Sequence, residues 1–446
     1  MSIARSLDLL DDLLGRARKA GADAADALLV EGASLTVAER LGRPEKLERA
    51  EGQDLGLRVF IGKRQAIVSS TDFSTRALDE LASRAVAMAR VVPEDPFCGI
   101  ADPGEIATSI PDLDLSDPEE PATETLIERV RAGEAAARAV PGVTNSEGAE
   151  ASWGRSRIAL AASNGFRQGY ALSHSGISVA VIAGEGTAME RDYDFSSVVH
   201  AGELEDPALV GRRAGEKAVR RLNPRKVATI KVPVVFDPRI SNGLVGHLAG
   251  AVNGASIARG VSFLKDKLGQ RVLPAGLDIV EDPLRRRGLR SAPFDGEGLP
   301  TQRRKLVEDG VLTTWVLDLR SARQLGLKST GNASRGTSGP PGPATRNLHL
   351  EPGKLSPKEL MADIASGFYC TELIGFGINN VTGDYSRGAA GFWIEKGEIA
   401  YPVSEITIAG NLKDMFLNLT PANDLVFRYG TNAPTTRIEG LTVAGR

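Results

Sequence analysis

The sequence predicts an α+β fold, with two helix-and-antiparallel-meander units in the N-terminal half and a β-rich C-terminal domain. Three observations support this prediction: four segments with apolar residues at helical spacing, runs of alternating apolar and polar residues between Gly-containing turns, and Gly-rich, strand-like sequence from about residue 230. The chain has 446 residues, 42% of them hydrophobic and only 5% aromatic. It is long enough for two or three domains with cores of Ala, Val, Leu and Ile.

Residues 1–120 form the first predicted unit. An amphipathic helix is expected over residues 4–20, where one stripe contains Leu7, Leu9, Leu10, Leu13 and Leu14. A meander follows, with turns at 41–44 and 61–63, and then a second helix capped by Ser74 or Thr75. Six prolines between residues 92 and 121 indicate a linker or a long surface excursion.

Residues 121–229 form the second predicted unit, a weak repeat of the first. A helix is expected over 123–140, alternating segments from 143 to about 189, and a helix over roughly 206–221. Asp72-Phe73-Ser74 in the first unit is echoed by Asp194-Phe195-Ser196 in the second. This order favours an internal duplication, although an α+β chain can also produce it by chance.

Residues 230–446 form the predicted β-rich domain. A short apolar strand begins at 231, and "LVGHLAGAVNGAS" at 244–256 is read as a helix that contains His247. A hairpin is expected at 391–410, with its turn at Lys396-Gly397 and with Phe392 and Ile394 on one face. Residues 329–350 are so rich in Gly, Pro and Ser that a mobile loop is expected.

Charge and composition exclude several classes of protein. With 54 basic and 57 acidic residues the net charge is −3, which disfavours nucleic acid as the main partner. The Arg-rich clusters lie among acids and are interpreted as solvated faces, or as a subunit contact. The sequence shows no signal-peptide pattern and no apolar run long enough for a membrane span, so a soluble cytoplasmic protein is expected. Cys98 and Cys370 are expected to be reduced, buried thiols.

No catalytic set is visible in the sequence. The four histidines, at positions 174, 200, 247 and 349, do not form a pair with the spacing of metal ligands, although a site assembled from distant residues stays possible. The most unusual polar stretch is "TGDYSRGAAG", which contains Asp384, Tyr385, Ser386 and Arg387. One interpretation is a surface that binds an extended peptide or a partner by edge pairing. The other is a tight turn held by an Asp384–Arg387 ion pair.

Five separated blocks of the sequence resemble the PmbA (TldE) branch of the TldD/PmbA family. In chain order they are "GLRVFIGKRQAIVSSTDFS", "SNGLVGHLAGAVNGAS", "FDGEGLPTQRRKLVEDGVL", "ARQLGLKSTGNASRG" and "TELIGFGINNVTGDYSRGAAGFWIEKGEIAYPVSEITIAGNLKDM". The resemblance covers nearly the whole chain. It implies a subunit that pairs with a TldD-type paralogue in a cytoplasmic zinc metalloprotease, which processes peptide precursors and degrades unfolded small proteins.

The resemblance also indicates a degenerate zinc helix. TldD proteins have an HExxxH helix and a C-terminal cysteine ligand. Aligned on "GVSFL", the corresponding helix positions here are Val245, Gly246 and Gly250, and the last ligand region contains Tyr429 and no cysteine. Valine and glycine have no side-chain atoms that bind zinc. We therefore expect no catalytic residue and no metal on this chain, and zinc on the partner subunit.

The expected function is thus that of a non-catalytic or regulatory subunit which helps to bind an extended peptide. Two alternatives stay open at this stage. One is an independent metallopeptidase with a dispersed site, for example His174 or His200 with carboxylates. The other is an interaction protein that forms a homodimer and has no enzymatic activity.

Overall fold

The computed structural model describes residues 2–445. Its N-terminal half contains two successive units with the same order: helix, three antiparallel strands, helix. The elements of the first unit are α1 (Ile3–Ala20), β1 (Ala24–Arg40), β2 (Arg43–Ile61), β3 (Arg64–Ser70) and α2 (Thr75–Val91). Those of the second are α3 (Thr123–Arg138), β4 (Val143–Ala162), β5 (Arg167–Ala183), β6 (Glu190–Val198) and α4 (Pro207–Arg220).

All four predicted helices of this half are present, with ends within about two residues of the prediction. Local signals explain the agreement. Ser74 caps α2 by accepting a hydrogen bond from the backbone N–H of Ala77, and Asp206 caps α4. From the predicted leucine stripe, Leu7, Leu10 and Leu13 are buried under the sheet.

The two units share one six-stranded sheet with the strand order β3-β2-β1-β4-β5-β6. The central pair is β1 with β4, which runs antiparallel from Asp26↔Ala162 to Glu39↔Ala149. The echoed tripeptides are not equivalent, which corrects one reason for the predicted repeat. Ser74 precedes a helix, whereas residues 194–196 lie inside β6.

Residues 92–121 contain no helix or strand and pack against the C-terminal half. Leu113 and Leu115 are buried, as are Cys98, Ala101 and Ala107. The backbone N–H of Ala107 donates to the carbonyl of Gly298 at 2.8 Å, and that of Arg287 donates to the carbonyl of Leu113 at 2.9 Å. The predicted surface excursion is therefore a strap between the sheet and the C-terminal region.

The C-terminal region is rich in short strands. Its elements are β7 (Ile230–Phe236), α5 (Pro238–Ala251), α6 (Gly254–Ala258), β8 (Ile279–Glu281), β9 (Arg304–Glu308), β10 (Val311–Leu312), α7 (Leu319–Leu325), β11 (Ala333–Ser334), β12 (Gly342–Pro343), β13 (Leu348–Leu350), α8 (Pro357–Met361), β14 (Ser366–Ile374), β15 (Asp384–Glu395), β16 (Glu398–Asn411), α9 (Leu412–Leu417), β17 (Leu419–Pro421), β18 (Thr431–Asn432) and β19 (Thr436–Ala444).

Five of these strands close on themselves. The order β16-β15-β14-β7-β19 is completed by pairing between β16 and β19, which gives a small barrel-like ring. The predicted hairpin with its Lys396-Gly397 turn is confirmed. Trp393, between Phe392 and Ile394, is also buried, so strand β15 is covered on both faces.

Residues 329–350 are packed, so the prediction of a mobile loop is wrong. Asn332 and Ala333 are buried, and the guanidinium of Arg335 pairs with the carboxylate of Asp26 on β1. The carbonyl of Thr337 lies so close to Gly56 on β2 that a Cβ there would be 2.1 Å from it. Gly56, which has no side chain, allows this close approach between the segment and the N-terminal sheet.

Two further expectations concern single features. The predicted helix over 244–256 is divided, because α5 ends at Ala251 and Asn253 caps the short α6. Cys98 and Cys370 are both buried and free, as expected. Among residues 2–445, no helix is long and apolar enough to cross a membrane.

Candidate functional site

The face of α5 that points away from the core is the first part of the candidate site. Leu244, Val245 and Leu248 pack into the main C-terminal core, whereas Gly246 and Gly250 are exposed. A Cβ added at Gly243, Gly246 or Gly250 would meet no atom within 4 Å. We call the surface formed by Gly243, Gly246, His247 and Gly250 the open face of α5. It offers bare helical backbone to whatever approaches.

The three residues at the predicted zinc-helix positions do not share this face. Val245 is 2% exposed and belongs to the core, while Gly246 and Gly250 lie on the opposite, open side. None of the three has a side-chain donor atom for zinc. Across residues 2–445, moreover, no group of three or more His, Cys, Asp or Glu side chains converges as metal ligands would. The residues present do not fit a zinc ion.

The ring of His247, at the margin of the open face, lies against strand β15. Its ring is 6.1 Å from the ring of Tyr385, and the two planes meet edge to face at 71°. Burial, together with the nearby positive charge of Arg387, lowers the pKa of His247 to about 4. The imidazole is therefore neutral at physiological pH. The structure thus brings His247 close to Tyr385 and Arg387, which are far from it in the sequence.

Two polar atoms beneath this face have no hydrogen-bond partner among residues 2–445. They are the hydroxyl of Tyr385, a residue that is 2% exposed, and the Nε of Arg387. Burial raises the pKa of Tyr385 above its ordinary value, and burial also raises the pKa of the neighbouring Cys370 thiol. Both groups keep their protons at neutral pH. The cluster can donate hydrogen bonds, but it has no group whose pKa lies near 7 for general acid–base chemistry.

The predicted Asp384–Arg387 pair is absent from the described part of the chain. The Asp384 carboxylate accepts hydrogen bonds from the Thr382 hydroxyl at 2.6 Å and from the Asn411 amide at 3.0 Å, and these bonds lower its pKa. Arg387 instead donates to the carbonyl of Leu373 at 3.3 Å.

The predicted edge pairing through residues 384–387 is also wrong, because both edges of this strand segment are occupied. On one side, residues 384–387 pair with β16. On the other, the N–H of Ser386 donates to the carbonyl of Gly377 at 2.7 Å, and the N–H of Asn379 donates to that of Asp384. Only side chains remain for contacts, and Asp384 and Ser386 are the exposed ones.

Apolar side chains project from the end of β14 and from the loop that joins it to β15. Phe376 is 98% exposed, and Ile374 and Val381 are 60% and 55% exposed. The loop lies next to the site, since the N–H of Phe263, just beyond α6, donates to the carbonyl of Asn380. Apolar groups clustered on a surface are typical of protein-interaction sites.

A separate cleft of about 530 Å³ lies at the N-terminal end of α5, between the sheet and the C-terminal region. Tyr193 and Phe195 of β6 line it, and the ring of Tyr429 is 5.3 Å from that of Phe195. Burial raises the pKa of Tyr429 to about 12, so this residue, in the region where a cysteine ligand would lie, is a neutral aromatic wall.

Charged residues of the cleft are paired. Arg239 donates to the buried Asp192 at 2.6 Å, and Arg428 donates to Glu205 at 2.9 Å. The residues that line the cleft come from segments that are far apart in the sequence, so most of them could not be predicted from it. The one local signal was Asp237-Pro238, a cap followed by Pro at the first helical position, which places the start of α5 here.

The other histidines are dispersed. His200 contacts Asp114 at 3.2 Å, and His349 contacts Glu351 at 3.4 Å and the ring of Phe427. His174 packs against Gly154 on the neighbouring strand, and burial lowers its pKa. These three histidines contact different residues and do not contact one another.

Comparison with known proteins agrees with the resemblance. Sequence models of the PmbA/TldA metallopeptidases match in order: domain 1 over residues 25–89, the central domain over 116–222 and the C-terminal domain over 229–445. The chain is 40% identical over 426 residues to the metalloprotease PmbA of Escherichia coli O157:H7, which covers 95% of this chain and 93% of that protein. The chain belongs to the PmbA branch of the TldD/PmbA metallopeptidase family.

Another curated relative and two solved structures are also similar to this chain. A metalloprotease PmbA homologue of Haemophilus influenzae is 36% identical over 434 residues, covering 96% of this chain and 94% of that protein. A crystal structure from Bacteroides thetaiotaomicron, named as a modulator of DNA gyrase, is 26% identical, with a TM-score of 0.91 and coverage of 98% of both chains. TldE from Thermococcus kodakarensis has the same fold, with a TM-score of 0.88 at 21% identity over 98% of this chain and 100% of that one.

Proposed function

We propose that this PmbA-type chain is the non-catalytic subunit of a TldD–PmbA-type metalloprotease, with zinc and the catalytic glutamate on an HExxxH paralogue. The observation that supports this most directly is the open face of α5. At the position of a zinc helix it presents glycines and a neutral histidine, and within residues 2–445 no set of metal ligands converges. In this proposal the open face forms part of the wall of the reaction chamber.

The exposed apolar loop supports a contact with another protein next to this wall. Phe376 is almost completely exposed, which is costly for a phenylalanine unless a partner covers it. The aromatic cleft at the other end of α5 supports binding of an extended peptide, because aromatic walls with a few polar groups are typical of such pockets. The proposed substrates are unfolded small proteins and peptide precursors.

The test is cleavage of an unstructured peptide by this chain, by the HExxxH paralogue and by their mixture, each with and without a chelator. We expect cleavage only in the mixture, and only without chelator. His247→Ala in this chain should leave that activity intact. Cleavage by this chain alone, or tightly bound stoichiometric zinc in it, would favour an independent metallopeptidase and overturn the proposal.

A substitution on the open face tests the chamber wall. Gly246→Trp fills space that no atom occupies, so the fold should persist while activity of the mixture falls at least tenfold. Gly15→Trp is the matched control, because Gly15 is a helical glycine on α1 that also has no atom near an added Cβ. Full activity of the Gly246→Trp mixture would show that the open face does not line the site.

A further inference from the structure

The first part of β2 is an exposed arm with a free edge. Every residue from 43 to 53, which we call the β2 arm, is exposed. One edge of the arm pairs with β1, but β3 pairs only with Leu55–Ile61. Within residues 2–445, no strand pairs with the outer edge of the arm. A free strand edge is a ready template for pairing with another chain.

The arm has an unusual charge pattern around Leu47, which is 63% exposed. Lys46 and Glu48 flank it on one face, and Glu45 and Arg49 lie one residue further out. Residues at equal distances before and after Leu47 have opposite charges: Lys46 corresponds to Glu48, and Glu45 corresponds to Arg49. An antiparallel strand paired with its own copy reads the same residues in reverse order.

We propose that two copies of this chain pair through their β2 arms, antiparallel about a two-fold axis at Leu47. Leu47 then lies opposite Leu47, Lys46 opposite Glu48, and Glu45 opposite Arg49. Opposite charges across a ladder stabilise the pair, and the two leucines cover each other. The contact is isologous, and it joins the two six-stranded sheets into one continuous sheet.

Several registers of the two arms would keep side chains on matching faces, and the charges favour the one centred on Leu47. A shift of one residue along each arm centres the pair on Glu48 or on Lys46, so like charges meet at the axis. A pair centred on Ala50 would need Asp54, whose carboxylate already accepts a hydrogen bond from the Thr337 hydroxyl. That register would also leave Leu47 opposite Gln53.

Local geometry keeps the pairing short. The β1–β2 register shifts between Ala38 and Glu39, which leaves Glu45 as the extra residue of a bulge. Pro44, the residue before Glu45, has no N–H to donate. These features confine the ladder to about five residues, so it forms a closed pair and does not extend into a fibre. We expect weak, concentration-dependent association.

Cysteine cross-linking tests the axis. Directly opposed residues of an antiparallel pair have Cα atoms about 4.5–5.5 Å apart, within the range of a disulfide. Leu47→Cys should therefore give a reducible covalent dimer on mild oxidation. Ala50→Cys in the same arm is the matched control, since its two copies would be about 20 Å apart. The native Cys98 and Cys370 are buried. Cross-linking at position 50 as fast as at 47, or at neither position, would overturn the proposal.

A charge-swap experiment tests the chemistry. Glu45→Lys/Glu48→Lys makes the centre of the arm wholly positive, and Lys46→Glu/Arg49→Glu makes it wholly negative. In sedimentation velocity each variant alone should stay monomeric, whereas the equimolar mixture should associate at least as strongly as the wild type. Association of the positive variant alone would overturn the Leu47 register. All four side chains are exposed, and the ion pairs that the variants change, Lys46–Glu48 and those of Arg49 with Glu51 and Glu120, lie on the surface, so their loss should cost little stability.

This inference does not rest on the proposed function, because the arm belongs to the N-terminal sheet and the open face of α5 to the C-terminal region. The charge-swapped variants should therefore keep full cleavage activity with the HExxxH paralogue. A different outcome is that the charge-swapped variants no longer bind the paralogue and that the wild type does not self-associate. The arm would then bind the paralogue, and the proposed self-pairing would be wrong.

Discussion

Arg58 Nη1 on β2 lies 3.9 Å from Glu297 Oε1 of the C-terminal region, and both side chains are almost completely buried. Arg58 is already bound, since its Nε donates to Asp26 at 2.9 Å. Burial raises the pKa of Glu297 well above its ordinary value, and the nearby Asp295 raises it further. The two halves of the molecule therefore meet at a buried arginine with one ionised and one protonated carboxyl neighbour.

The first prediction concerns the pH dependence that Glu297 confers. Because its folded-state pKa is raised, its contribution to stability is fully present below about pH 4.5 and is lost as the pH rises through the folded-state value. Glu297→Gln should remove this loss, so the variant gains thermal stability relative to the wild type as the pH increases. Melting temperatures between pH 5 and 9 check this. The exposed Glu308→Gln is the control, and equal slopes for all three proteins would contradict the prediction.

The second prediction concerns Asp26, whose carboxylate pairs with Arg58 and Arg335 and is 3% exposed. Asp26→Ala leaves two buried guanidinium groups without their partner, which should lower the free energy of unfolding by about 3–5 kcal/mol. Chemical denaturation measures it. Asp79→Ala removes an exposed partner of Arg16 and should cost less than about 1 kcal/mol. Similar costs for the two variants would show that the Asp26 pair is not buried in solution.

The third prediction concerns the protonation of His247. Its pKa is lowered to about 4 by burial and by Arg387, so it should stay neutral at pH 5. A group with a lowered folded-state pKa contributes stability above about pH 6.5 that is lost as the pH falls towards 4. Histidine NMR titration measures the value, and His247→Gln assigns the resonance. A midpoint near 6.5 would mean that Tyr385 and the core do not shield the ring.

The fourth prediction compares two helical glycines. A Cβ at Gly211 on α4 would lie 1.9 Å from the carbonyl oxygen of Gly133 on α3, so Gly211→Ala must separate the two helices. We expect a loss of about 1–3 kcal/mol in the free energy of unfolding. Gly246→Ala has open space and should instead stabilise α5 by about 0.5–1 kcal/mol. Denaturant titrations of both variants give the comparison; a neutral Gly211→Ala would contradict the close helix contact.

The elements that were predicted correctly are those with local signals. Ser74 and Asp206 cap helices whose apolar spacing is visible in one stretch of sequence, and Lys396-Gly397 is a recognisable hairpin turn. The errors have a common physical cause. Residues 92–121 and 329–350 have the composition of loops, but their partners, such as Gly298 for Ala107 and Asp26 for Arg335, are distant in the sequence.

The site shows the same limit. The resemblance directed attention to α5, and the unusual polar composition directed it to residues 384–387; the structure places His247 beside Tyr385. Nothing local in the sequence shows that the edges of that strand are already occupied, or that Val245 faces the core while Gly246 does not. The cleft of Tyr193, Phe195 and Tyr429 depends on the packing of two regions, so sequence spacing alone could not reveal it.

The pairing of strand β1 restricts where this fold can accept insertions and deletions. Its residues pair with β2 on one side and with β4 on the other along nearly the whole strand. One residue inserted or deleted within β1 would turn every following side chain to the opposite face of the sheet, and it would do so in two ladders at once. Length variation should therefore concentrate at the turn around Leu41-Gly42, whereas β1 itself should keep a fixed number of residues.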